Sequence, residues 1–317
     1  MNIWFLGTGA GRPNKHRNVT AIALQLPEPS CSWWLFDAGE ATQHQLMHSP
    51  LKLSKLEAIF ITHLHGDHIY GLPGLLSSRS FDGGVTPVQL IGPAGLKQYI
   101  ETVFAVSGTH LDYELIIHEV TGNEGVIYNN EHLKVEIGEL DHRVQCFGYR
   151  VTEHDQPGKL LVHKLKEMGI AAGPLYGKLK QGQSVAAPDG TIVHTKDVTG
   201  PVHVGRIVTV LGDTKPCENA VRLAAGADLL VHEATFAAGM EEKAHEFGHS
   251  TTAEAAATAA AAKAKQLVMT HFSGRYSNED LSLLEAEAAL SFESVRAAQD
   301  LLMIEIKRAS ALEPNKE

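Results

Sequence analysis

The feature that most restricts this chain is the run Ile59-Phe60-Ile61-Thr62-His63-Leu64-His65-Gly66-Asp67-His68, where an apolar, β-rich stretch passes directly into four ligand-type side chains within six positions. Residues two apart in an extended chain project to one side, so His63 and His65 can approach a single ion together. Gly66 permits a sharp turn, after which Asp67 and His68 can face a second ion. Three imidazoles and a carboxylate suit zinc or a related divalent metal. So many titratable groups at a strand end would be costly to desolvate without one. The fold must therefore end a strand at a metal site.

The rest of the composition narrows the ligand chemistry. Cys31, Cys146 and Cys217 are far apart and form no CxxC pair, so neither a thiolate zinc site nor a disulfide framework follows from them. Any further ligands are imidazoles and carboxylates, drawn from 18 histidines and 37 acidic residues. At 317 residues, 44% apolar and 20% charged, the chain reads as globular, with one large domain or two ordinary ones. A net charge of −10 argues against an evenly basic nucleic-acid coat but leaves room for a local basic patch. No run approaches the roughly 18 apolar residues of a membrane span. The start, Met1-Asn2-Ile3-Trp4-Phe5-Leu6-Gly7, has no basic leader, so the expected location is cytoplasmic.

Short apolar segments at 3–6, 20–26, 33–36, 58–62, 88–91, 115–120, 133–137, 147–151, 207–211 and 229–232 predict strands. Helices are expected at 40–48, 95–106, 218–225, 252–265 and 279–306, the last broken. Ser250 or Thr251 is placed to cap the Ala-rich helix that follows. Such traffic fits a layered α/β domain. One region breaks the rhythm: residues 154–182 hold seven glycines and prolines and five lysines against two acids, a local charge of +3. It reads either as a solvated insertion or as an arm that grips a polyanion.

Further acids and histidines recur at strand ends, in Phe36-Asp37-Ala38-Gly39-Glu40, Leu140-Asp141-His142-Arg143, Leu211-Gly212-Asp213-Thr214 and Val268-Met269-Thr270-His271-Phe272. With HxHxDH, this order resembles the metallo-β-lactamase superfamily. The resemblance implies an α/β fold: an αββα sandwich of two mixed β-sheets flanked by helices, with an inserted flexible arm. It implies that His63, His65 and His142 hold one zinc, that Asp67, His68 and His271 hold another, and that Asp213 bridges them. Two cations about 3.5–4 Å apart can share a hydroxide and stabilise in-line displacement at phosphorus. Asp67 could also orient or deprotonate the attacking water, and Asp37 suits a carboxylate that holds a ligand histidine in place.

Other segments resemble one branch, ribonuclease Z (ribonuclease BN), the bacterial tRNA 3′-processing endonucleases. They include Phe5-Leu6-Gly7-Thr8-Gly9-Ala10-Gly11, Arg17-Asn18-Val19-Thr20, Gly71-Leu72-Pro73-Gly74-Leu75-Leu76, His232-Glu233-Ala234-Thr235, Gly248-His249-Ser250-Thr251 and His271-Phe272-Ser273-Gly274-Arg275-Tyr276. The usual DCGEGTQ stands here as Asp37-Ala38-Gly39-Glu40-Ala41-Thr42-Gln43. The match spans about residues 3–276, with no landmark beyond. It implies that His249, supported by Glu233, lies beside the scissile phosphate without ligating metal, able to donate to the departing ribose 3′-oxygen. It implies removal of the 3′ trailer from precursor tRNA, giving a tRNA 3′-hydroxyl and a 5′-phosphate on the trailer, with 3′-exonuclease trimming as a further activity. Two Zn2+ per subunit are expected, with Mn2+ or another divalent metal as the alternative, and no organic cofactor or membrane partner. A homodimer is expected too.

Gly169-Ile170-Ala171-Ala172-Gly173-Pro174 matches the family's Gly-Pro arm, so residues 154–200 become a tRNA-binding arm within a single domain over 1–317. Lys159, Lys164, Lys166, Gly173, Pro174, Lys178 and Lys180 are its candidate RNA contacts, with Arg275 outside it. The runner-up is a general phosphodiesterase or small-molecule hydrolase of the same superfamily. Other readings fall away or stay open. Gly7-Thr8-Gly9-Ala10-Gly11-Arg12 lacks the third glycine of a dinucleotide site and opens no amphipathic helix. That turn could place Arg12, Lys15, His16 or Arg17 near RNA or be plain surface. His44 and His48 fit a packed or solvated helix face better than a metal pair, and His245 is expected at the surface. Arg79 and Arg275 suit phosphate contacts or structural ion pairs equally.

Overall fold

The computed structural model describes residues 1–27 and 31–308. Its strands, in chain order, begin with β1 (Asn2–Gly7), β2 (Ala21–Gln25), β3 (Trp33–Phe36), β4 (Leu56–Phe60), β5 (Val88–Gly92) and β6 (Leu115–Glu119). There follow β7 (Glu124–Asn129), β8 (Leu133–Leu140), β9 (Cys146–Glu153), β10 (Val185–Ala186), β11 (Ile192–Val193) and β12 (Ile207–Val210). The last are β13 (Leu229–Glu233), β14 (Leu267–Thr270), β15 (Val295–Ala297) and β16 (Leu302–Glu305). Two seven-stranded mixed sheets result, in the orders β16-β1-β2-β3-β4-β5-β6 and β15-β14-β13-β12-β9-β8-β7. Parallel pairing runs from β3 to β6 in the first and from β12 to β15 in the second.

Helices cover the outer faces: α1 (Thr42–Leu46), α2 (Gly66–Ile69), α3 (Leu72–Phe81) and α4 (Leu96–Ser107) on the first sheet's side. The chain continues through α5 (Val162–Glu167), α6 (Pro174–Lys180), α7 (Glu218–Ala224), α8 (Glu241–Phe247), α9 (Thr252–Ala261) and α10 (Leu281–Ala289). The main core draws Phe5, Phe36 and Phe60 from one sheet and Phe147, Tyr149 and Val231 from the other, so the sheets pack face to face. Ile59 and Ile61 point the opposite way, against Leu72 and Leu76 of α3. Burial on both faces explains why residues 58–61 run apolar without alternating. A third cluster joins Leu223, Ala256 and Leu284 of α7, α9 and α10 to Leu230 and Met269. This is the expected αββα sandwich.

The contrast with expectation is sharpest after residue 279. Among the described residues there, only α10 is helical; β15 and β16 follow, and β16 closes the first sheet beside β1. Around β16 the burial alternates, with Ile304 and Ile306 inside and Met303 and Glu305 outside, a period of two that long-range pairing selects over helix propensity. α9 begins where expected, with Thr251 and Glu254 forming a reciprocal capping box.

Residues Glu153–Arg206, with Lys307 and Arg308, form a second compact unit. Leu165, Ile170, Leu179, Val185, Val193 and Val198 make its own small core around α5, α6 and the β10–β11 hairpin. Within it Gln156 and His203 exchange backbone hydrogen bonds of 2.9 Å. Buried Glu153 accepts from Arg206 Nε and Nη2 at 2.7 and 2.9 Å and also from Arg308. Burial opposes ionisation, but the two guanidiniums win and hold the carboxyl at about 2.

Candidate metal centre

The site stands on strand ends. β3, β4, β12 and β14 each stop within three residues of a site side chain: Asp37, His63, Asp213 and His271 respectively. Glu233 closes β13, and His142 follows β8 by two residues. Parallel neighbours share their carboxyl ends, which is where an open α/β sheet gathers a ligand site. Asp37 and His271 have φ of 59° and 57°, the left-handed region, costing roughly 1–2 kcal/mol each. Gly71 is required by proximity: a Cβ there would lie 1.9 Å from Gly39 O.

Ligand atoms from His63, His65, His142 and Asp213 lie within 4.8 Å of one another, and so do those of Asp67, His68 and His271. Asp213 Oδ2 stands between the groups, 3.7 Å from His63 Nε2, 3.5 Å from His68 Nε2 and 3.4 Å from His271 Nε2. The far sides of three of the rings are occupied. His68 Nδ1 meets Asp37 Oδ2 at 2.7 Å, His142 Nδ1 meets Gly248 O at 2.7 Å, and His271 Nδ1 meets Thr235 Oγ1 at 2.9 Å. Acceptors behind His68 and His142 put the proton on Nδ1 and turn the Nε2 lone pair inward. Inward nitrogens then face each other, His68 Nε2 to His271 Nε2 at 3.3 Å and His142 Nε2 to His65 Nδ1 at 3.3 Å. Lone pairs converging on carboxylate oxygens fit a divalent cation, and the donor set of imidazole and carboxylate agrees.

The electrostatics say the same. Burial would raise Asp213, but His271, His68 and His63 pull it well below the usual carboxylate range. His68 moves well above its usual value because Asp213 and Asp37 outweigh its burial. His63, buried beside other imidazoles, falls well below. The carboxylates thus attract positive charge strongly, whether protons on His68 or a divalent ion in the same space.

His249 lies at the rim. Its Nδ1 is 3.0 Å from Glu233 Oε1 and 3.7 Å from Asp213 Oδ2, and Glu233 lifts it to about 9 against its own burial. Asp213, His249 and His271 are also close enough to share an ion. The Nδ1 of His249 is nevertheless engaged by Glu233. Glu233 itself is fully buried and accepts five hydrogen bonds, from Thr214 N, His249 Nδ1, Ser250 N, Thr235 N and Thr235 Oγ1.

Several contributors escaped the reading of the sequence. Thr62 donates through N and Oγ1 to Asp37 at 2.7 and 2.8 Å, and Gly11 N donates to Asp67 Oδ2 at 2.7 Å. Thr62 lies inside the central run, where its position alone could have marked it; a backbone donor such as Gly11 leaves no compositional signal. Lys159, Lys164, Lys166, Lys178 and Lys180 are exposed in the second unit, as are Gly173 and Pro174, where Pro174 opens α6. Arg275 belongs to the first unit, exposed, with its guanidinium 5.0 Å over Phe236. Arg79 is fully buried against Tyr113 and Arg17 is buried over Phe272, so both are structural rather than phosphate-binding. Gly7 serves close packing, since a Cβ there would lie 1.8 Å from Val19 O. His44 and His48 contact each other edge-on without a carboxylate, and His245 pairs with Glu254 at the surface.

Residues 178–272 match a family model described as a beta-lactamase superfamily domain, and residues 1–122 match one described as anti-Pycsar protein Apyc1. The chain is 51% identical over 308 residues to a ribonuclease Z of Bacillus cereus and 52% identical to that of Bacillus licheniformis, covering 97% of this chain and 100% of each relative. The crystal structure of human tRNase Z, short form, superposes with a TM-score of 0.71 at 31% identity, covering 97% of this chain and 100% of that one. Fold and site together define a metallo-β-lactamase-fold enzyme with a His/Asp cluster suited to divalent metal. Within that class, full-length identity above half places the chain in the ribonuclease Z family.

Proposed function

We propose that the protein is an endoribonuclease that removes the 3′ trailer from precursor tRNA with two divalent ions per subunit, zinc or manganese, and that it works as a homodimer. The observation that carries this is one carboxylate, Asp213, set between two ligand groups, with a histidine beside them held by a different carboxylate. His63, His65 and His142 would hold one ion, Asp67, His68 and His271 the other, with Asp213 shared. When bound, such ions neutralise phosphate charge and acidify water towards neutral pH. Asp67 accepts the proton of the attacking water or orients it. Asp37 fixes the His68 ring, and Thr235 fixes that of His271. His249, held by Glu233, donates to the departing ribose 3′-oxygen. The exposed lysines of residues 154–200 suit phosphate contact that positions RNA without reading its sequence. Incubation of metal-loaded protein with precursor tRNA, followed by mapping of both product ends, tests the reading. Cleavage 3′ of the acceptor stem, leaving a 3′-hydroxyl and a 5′-phosphate, is expected. Turnover of a small phosphodiester with no preference for tRNA would replace this reading with that of a general phosphodiesterase.

A further inference from the structure

Asp300 lies in the turn between β15 and β16, beyond every motif that marks the site. Its carboxylate gathers four hydrogen bonds: from Thr8 N and Oγ1 to Oδ1 at 3.0 and 2.7 Å, and from Asn18 N and Gln45 Nε2 to Oδ2 at 2.6 and 2.8 Å. The turn that presents it is itself tied down, since Leu301 N donates to Phe5 O at 2.6 Å. Thr8 and Asn18 are the two feet of one loop, so Asp300 cross-links its base.

That loop meets the metal centre twice. Gly11 N donates to Asp67 Oδ2 at 2.7 Å, the oxygen that also lies 3.3 Å from His271 Nε2. Phe272 N donates to Thr8 O at 2.9 Å and Ala10 N to Phe272 O at 3.0 Å, immediately beside His271. Among the described residues no hydrogen bond joins this loop to the other ligand group. His63 rests on Thr62 Oγ1 and His142 on Gly248 O. A single carboxylate therefore organises the surroundings of Asp67 and His271 and leaves His63 and His142 to other supports.

We infer that Asp300 is a positioning residue for the half-site of Asp67, His68 and His271, acting through the loop 8–18, so that its loss weakens one divalent ion and spares the other. The inference rests on the two-ion reading above. Asp300→Asn keeps the shape but turns one acceptor into an NH2 group, so either Thr8 N, or Asn18 N and Gln45 Nε2, loses its acceptor. Metal-free wild type and variant are titrated with Co2+ against a competing chelator while the absorption of each bound equivalent is followed. The wild type takes up two equivalents. In the variant the equivalent held by His63, His65 and His142 stays within about twofold while the other weakens about 10-fold, the low end of the range for groups bonded directly to a ligand, because Asp300 acts through the loop. Excess metal then restores turnover of a small phosphodiester. Thr8→Val, which removes only the hydroxyl bond to Asp300, gives the same selectivity on a smaller scale and covers the case in which Asp300→Asn does not fold. Equal weakening of both equivalents, or of neither, overturns the inference. A wild type that binds no divalent ion overturns the two-ion reading beneath it as well.

Discussion

Replacing Glu233 with glutamine changes one oxygen to NH2 with almost no change of shape, and the structure says how much that should cost. Oε1 accepts from Thr214 N at 3.1 Å, His249 Nδ1 at 3.0 Å and Ser250 N at 3.1 Å; Oε2 accepts from Thr235 N at 3.0 Å and Thr235 Oγ1 at 2.7 Å. Every partner can donate, so the amide has no place to put its hydrogens in its present surroundings. In the better orientation NH2 replaces Oε2 and the Thr235 hydroxyl turns to accept from it. Thr235 N is then stranded in a buried site, at about 1–3 kcal/mol. The three bonds at Oε1 pass from charge-assisted to neutral, losing about 1 kcal/mol each. Relief of carboxylate desolvation offsets part of this, leaving a net loss of roughly 2–4 kcal/mol. Turning the Thr235 hydroxyl also disturbs His271 Nδ1, so the damage reaches both the histidine at the rim and a candidate ligand. Urea unfolding of the metal-loaded protein, followed by fluorescence of buried Trp33 and Trp34, measures the stability change. Initial rates on precursor tRNA, expected to fall more than about tenfold, measure the functional one. A Glu233→Gln protein as stable and as active as the parent would refute the premise that this carboxylate is a pure acceptor.

Three other outcomes are expected. His249→Ala should keep its metal content by elemental analysis while cleavage falls about 100-fold or more, and metal loss in step with activity would show that His249 is a ligand. Replacing residues 157–202 with Asn-Gly joins Gln156 and His203, already a hydrogen-bonded antiparallel pair, by a two-residue turn. Precursor tRNA binding should weaken far more than turnover of a small phosphodiester, and equal losses on both would remove the RNA role of that unit. A cut at 158–182 alone is a poorer test, because it strips Leu165, Ile170 and Leu179 from Val185, Val193 and Val198. Ala41 sits at φ 60° where the related motif carries glycine, so Ala41→Gly should raise stability by about 0.5–1 kcal/mol in thermal or urea unfolding, with a fall counting against the strain.

The metal centre was legible where its parts are local. His63, His65, Asp67 and His68 fall within six positions, and strand geometry followed by a glycine turn is enough to make them converge. The capping box at Thr251 and Glu254 is local in the same way. Arg79 shows the limit, because only packing decides that an arginine on α3 is sealed against Tyr113 rather than offered to phosphate. The segment after residue 279 shows another, since its alternation counts as a strand only because β1 presents an edge to pair with.

By itself, then, the sequence named the imidazoles and carboxylates of the candidate site, their division around a glycine turn, and the family that shares them. Tertiary structure decided which distant groups complete the site and what holds them. Glu233 reaches His249 and Thr235, and Asp300 reaches Thr8 across 292 positions. The reason is that a hydrogen-bond partner is chosen by strand order and face-to-face packing. Those depend on contacts summed over the whole core and leave no pattern in any one stretch of chain.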